Sequence, residues 1–152
     1  MLDLSLRYEA NGTAHDDLVL RFAGETWIGD SYYLALDRKV LPEDESPTKV
    51  KVVLRTLLEY WFSIILNLEN DGTTFLPFDF SDQSTGWLRC QREGNEITVS
   101  QGQALVEGHS LFPSAVGDHS LGPVGFKVDG PTMKVSWKDL LQAIRESSID
   151  VA

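Results

Sequence analysis

The stretch SPTKVKVVLRTLLEYWFSIILNLENDG, residues 46–72, decides the fold of this chain. Ser46-Pro47 pairs an N-cap hydroxyl with a proline at the first helical position, where the missing N–H has no partner to lose. The carboxylates of Glu43, Asp44 and Glu45 come just before that positive helix end. Downstream, Val50, Val53, Leu54, Leu57, Leu58, Trp61, Ile64, Ile65 and Leu68 recur at i, i+3, i+4 and i+7 spacing, while Lys51, Arg55 and Glu59 lie off the stripe. Asn70-Asp71-Gly72 stops the pattern. Val52, Tyr60, Phe62 and Leu66 make the second half apolar almost all round. A helix of that kind is covered on more than one side, so a helix over about 47–69 is expected at the centre of the molecule.

Strand signals lie on both sides of it. Leu2, Leu4, Leu6 and Tyr8 alternate with Asp3, Ser5 and Arg7, the period-two pattern of a half-buried strand. Leu18, Leu20 and Phe22 repeat it after a loop from Asn11-Gly12 through Asp17, and Tyr32 to Leu36 supplies a third apolar segment after Gly29-Asp30. The first forty residues therefore read as three strands of an antiparallel meander. After the helix, Phe75, Phe78 and Phe80 surround Pro77, which suits an edge strand or a bulge. Trp87 to Arg92 and Glu96 to Ser100 flank Glu93-Gly94-Asn95 as a hairpin. Leu105-Val106 adds a short strand, and residues 108–123, with three Gly, two Pro and two His, read as a long loop. Val124 to Val128 and Thr132 to Val135 flank Asp129-Gly130-Pro131 as a second hairpin. Ser136, followed by Asp139 three positions on, caps a C-terminal helix over about 137–147 with Leu140, Leu141 and Ile144 on one face. Grouped strands and helices, not alternating βαβ units, predict a single α+β domain over 1–152, a mostly antiparallel sheet packed around one long central helix.

Composition narrows the function classes. The chain has 23 Asp and Glu against 13 Lys and Arg, a net charge of −10 on 152 residues. Such a surface repels nucleic acid and anionic lipid and favours basic protein surfaces. Four Trp, four Tyr and seven Phe supply a core that a disordered chain lacks. Cys90 is the only cysteine, which rules out an intramolecular disulfide and suits a reducing compartment. The N-terminus lacks a basic segment followed by a long apolar run, and the longest apolar run, Tyr60 to Leu68, is far short of the roughly 20 residues that span a bilayer. A soluble, cytoplasmic protein is expected.

No phosphate-cradling glycine loop, Walker motif, nucleophile elbow or His-Glu-x-x-His metal motif is present. His15 beside Asp16 and Asp17, and the pair His109 and His119 with Asp118, are the residues that a metal or acid–base site would use. Their spacing is not fixed by a helix, so no metal, cofactor or catalytic residue is assigned. Cys90 between Leu88 and Arg92 is expected as a buried strand thiol, although Arg89 and Arg92 nearby would favour a thiolate.

One stretch stands out by charge. From Thr56 to Leu88 there is no Lys or Arg, while Glu59, Glu69, Asp71, Asp79 and Asp82 are interleaved with Tyr60, Trp61, Phe62, Phe75, Phe78, Phe80 and Trp87. The end of the long helix and the following loop are thus expected to present Glu69, Asp71, Asp79, Asp82 and Trp87 to a basic protein partner, the charges speeding association and the ring supplying affinity. In size, charge and missing catalytic motifs the whole chain resembles the immunity proteins with which bacteria neutralise toxic nucleases. That likeness implies a protein-binding inhibitor and no enzyme. A second reading, a small hydrolase or ligand-binding domain, would use His109, Asp118 and His119 in the 108–123 loop.

Overall fold

The computed structural model describes residues 2–37, 45–80, 84–105, 123 and 125–151. It is an α+β protein with two antiparallel sheets. Strands β1 (Leu4–Tyr8), β2 (Leu18–Phe22) and β3 (Glu25–Gly29) form the first, in the order β1-β2-β3. A four-residue helix α1 (Tyr32–Ala35) leads toward the long helix α2 (Pro47–Leu66). The second sheet, β4-β5-β6-β7, comprises β4 (Thr73–Phe80), β5 (Thr85–Glu93), β6 (Glu96–Ala104) and β7 (Lys127–Ser136), followed by helix α3 (Trp137–Asp150).

Helix α2 is the hub. The Ser46 hydroxyl accepts from the Lys49 amide at its start, and Asn67 takes the C-cap position. Val53, Leu54, Leu57, Leu58, Trp61 and Ile65 are buried along it. The Trp61 indole N–H donates to the Pro77 carbonyl at 3.0 Å, fastening the helix to β4. Helix α3 starts at the end of β7 in the second sheet and packs on β1 of the first, where the Leu6 amide donates to the Ser147 hydroxyl at 3.3 Å. The two sheets and two long helices thereby share one core.

Several expectations hold and three are corrected. The central helix, the bulged edge strand at Pro77, the 93–96 hairpin and the capped C-terminal helix are present, the last about a turn longer than expected. Tyr32 to Leu36 is not a strand: Tyr32–Ala35 is helical, and the third strand is Glu25–Gly29 instead. That strand turns back from β2 through Ala23-Gly24, both with positive φ (54° and 81°), a two-residue hairpin connection whose twist matches the strands.

The second hairpin is also corrected. Lys127–Ser136 is one strand, and Asp129-Gly130-Pro131 forms a bulge opposite Gln101, since Ser100 pairs with Thr132 and Gly102 with Val128. Gly130 has φ of +137°, a conformation that side chains disfavour, and β7 is an edge strand, where a proline without an N–H breaks no ladder. Finally, Leu105 follows the end of β6 and is not in a strand; Val106 and the 108–122 part of the loop lie outside the described residues. No described helix is long and apolar enough to cross a membrane.

Candidate functional site

Strand pairing gathers carboxylates at one end of the second sheet. The Arg92 amide donates to the Gly72 carbonyl at 2.9 Å, which brings Asp71 alongside Glu93. Glu93 lies directly opposite Glu96 across the β5–β6 turn, and Glu96 lies opposite Ser136, the N-cap of α3. Asp139 sits in the first turn of that helix and Glu69 in the turn after α2. Glu69, Asp71, Glu93, Glu96 and Asp139 are all exposed. Lys134 lies 3.9 Å from Glu96 with both side chains open to solvent, a pair of little energetic worth.

This acidic end is held firmly. The Asn70 side-chain oxygen accepts from the Gly94 amide at 2.7 Å, and the Gly72 amide closes onto the Glu69 carbonyl at 2.9 Å. A side chain at Gly72 would place its Cβ 2.9 Å from that same carbonyl, so the turn needs glycine. Arg92 is the keystone. Its guanidinium donates to the carbonyls of Leu68 and Gly94 and lies 4.4 Å from the Trp137 ring centre. Trp137 in turn donates its indole N–H to the Ile65 carbonyl at 2.9 Å and its amide to the Asn95 carbonyl at 2.7 Å. One cation thus satisfies a carbonyl just past the negative end of α2 and one in the β5–β6 turn, and ties both to the start of α3. Arg92→Met keeps bulk but removes the donors and the charge. We expect a loss of about 2–3 kcal/mol by chemical denaturation, with increased amide exchange across 68–72 and 93–95.

The expected partner-facing set is not one surface. Trp87 is 0% exposed and donates to the Thr85 hydroxyl at 2.6 Å, so its ring is core and cannot touch a partner. Asp79 is 5% exposed and engaged within the protein. Asp82 lies outside the described residues. Among the four of these that are described, Glu69 and Asp71 are the ones on the surface. Glu93 and Glu96 were missed, although two acids flanking a two-residue turn necessarily project together from a hairpin end.

The remaining candidates divide simply. His109, Asp118 and His119 lie outside the described residues. His15 is exposed, 3.4 Å from Asp30, and among the described residues no three His, Cys, Asp or Glu side chains are arranged to hold a metal. Asp17 is fully buried and accepts from the Ser31 amide and hydroxyl at 2.8 and 2.7 Å, a structural staple between β2 and α1. Burial first, and then the Asp17 charge, lifts the Tyr8 phenol above its ordinary range.

Burial pushes the Cys90 thiol from 9.0 up to about 12, the opposite of a reactive thiolate. Because the folded chain holds this proton where the unfolded chain releases it, the stability it lends is complete below pH 9 and is lost as pH rises toward 12. We expect iodoacetamide to leave Cys90 unmodified at pH 8 in the native protein and to alkylate it fully in denaturant; rapid native labelling would show that the thiol is accessible.

No protein-family model and no curated protein matches the sequence. Among solved structures, a chain of the "CdiA-CT/CdiI toxin and immunity complex from Enterobacter cloacae" is similar over 96% of this chain and 99% of its own. The TM-score is 0.53 at 9% sequence identity, a likeness of fold.

Proposed function

We propose that this chain is an immunity-type protein that binds and neutralises a basic protein partner, such as a toxic nuclease, through its acidic end. The observation that carries the reading is the rigid gathering of Glu69, Asp71, Glu93, Glu96 and Asp139 at the meeting of α2, the β5–β6 turn and α3. Like charges directly opposite across a strand pair cost stability, as Glu93 and Glu96 do here, so their placement favours a role outside the molecule. The whole-length fold likeness to a chain from a toxin–immunity complex supports the same class, and the net charge of −10 fits the inhibitory half of such a pair. Carboxylates of this kind plug the basic cleft that a nuclease uses for phosphates.

The test is a differential capture from native lysate at low salt. Tagged wild-type protein is compared with a Glu69→Gln, Asp71→Asn, Glu93→Gln, Glu96→Gln variant. The expected result is one basic protein held by the wild type, released by a high-salt wash and absent from the variant. Equal recovery on both, or no specific protein on either, contradicts the proposal.

A further inference from the structure

A second feature lies away from the acidic end, in the cleft between the two sheets. The outer edge of β3 faces the bulge of β7 across a cavity of about 210 Å³. Glu25, Trp27, Phe78, Gln101, Gln103 and Asp129 are among its lining, and among the described residues no Lys or Arg lines it. Trp27 is half-buried and meets Phe78 edge-on, 5.3 Å between ring centres, which fixes the indole as a wall.

Gln101 is the informative residue. Its side chain is drawn over Gly130, whose missing Cβ would stand 3.2–3.3 Å from Gln101 carbons. It is only 8% exposed, yet among the described residues its amide makes no hydrogen bond, and it opens to the cavity. Among the described residues the sealed side-chain polar atoms without a partner do not include those of Gln101, so its amide is accessible from the cavity. The β7 bulge, with Gly130 in a conformation that favours glycine, is what makes room for it.

We propose that this cleft receives one arginine side chain of the protein partner. The inference rests on the reading of the partner as basic and names a specificity pocket for it. Each part of a guanidinium finds its complement. The planar cation lies against the Trp27 indole, Glu25 and Asp129 supply opposite charge at the rim, and the Gln101 amide oxygen accepts an N–H that it otherwise lacks. The volume suits a single side chain, below the roughly 300 Å³ at which small-molecule sites begin. A lysine ammonium offers no plane to the indole and matches the cleft less well.

The experiment needs no partner protein, so its failure and that of the immunity reading are separable. N-acetyl-arginine amide is titrated into the ¹⁵N-labelled chain while the Trp27 indole and Gln101 side-chain amide signals are followed, with N-acetyl-citrulline amide as the uncharged isostere. Saturable shifts of both signals are expected with the arginine compound and not with citrulline, and the Trp137 indole serves as a distant control. Glu25→Gln with Asp129→Asn, both exposed positions, should weaken binding roughly tenfold or more. Gln101→Leu should weaken it too, with a melting temperature close to wild type, because the amide it removes makes no hydrogen bond to the described residues and is accessible from the cavity. No saturable shift, equal shifts with citrulline, or arginine binding unchanged in Gln101→Leu would each overturn the proposal.

Discussion

Trp61→Ala should lower the melting temperature by roughly 10–15 °C, the consequence of about 3–5 kcal/mol lost from a domain of this size. Trp61 is 1% exposed at the centre of α2 and among the largest buried side chains. Two losses combine in this variant. A cavity opens between the helix and β4, and the Pro77 carbonyl loses the indole N–H that reaches it at 3.0 Å. Trp61→Phe separates them: it keeps most of the ring and removes the donor, so only about 1–2 kcal/mol should be lost. If alanine and phenylalanine variants melt within a degree or two of wild type, α2 is not the hub described above. Thermal melts followed by near-ultraviolet circular dichroism read both.

The second large effect concerns association. The Glu69→Gln, Asp71→Asn, Glu93→Gln, Glu96→Gln variant should bind a captured basic partner with an on-rate about 10–100-fold below wild type at low ionic strength. The gap should narrow steeply above about 0.2 M salt, where screening shortens the reach of exposed charges to less than 10 Å. The four positions are exposed, so the fold should change little, and relief of the Glu93–Glu96 opposition should offset any loss. Asp71 is replaced by Asn because φ is +64° there, a conformation that Asn tolerates. An on-rate that ignores both salt and these substitutions would place the contact elsewhere.

What the sequence made legible follows from how local each signal is. Helix α2 announces itself because cap, proline and apolar period all act within its own residues; it ends at Leu66 because Asn67 takes the cap and Asn70-Asp71-Gly72 belong to the turn. The α3 cap at Ser136 and Asp139 is local in the same way. Strand β3 was hidden because Ala23-Gly24 lacks the usual Asn-Gly or Asp-Gly signature, although Gly24 followed by Thr26-Trp27-Ile28 carries a weak one. The short run at Tyr32 fits helix and strand alike, and tertiary contacts decide it. Asp129-Gly130-Pro131 suits a turn equally well as a bulge on an edge strand, and only the position of β7 at the sheet edge distinguishes them.

The candidate site was legible in charge and not in place. An acid excess is a sum over the chain, whereas a surface depends on which residues point outward. Residues 85–88 of β5 are all buried, so no alternation marks Trp87 as core, and Asp79 follows the bulge at Phe78 that shifts the register of β4. Glu69 and Asp71 lie in a turn, where exposure is the ordinary outcome. Glu93, Glu96 and Asp139 join them only through pairing between segments distant in sequence.

The measurement that bears most directly on an immunity role is growth rescue. The protein captured by the wild-type chain is expressed alone, with the wild-type chain, and with the four-substitution variant. An immunity role predicts arrest when the captured protein is expressed alone, growth restored by the wild type, and continued arrest with the variant. A captured protein that is harmless by itself, or rescue as complete with the variant as with the wild type, would contradict it.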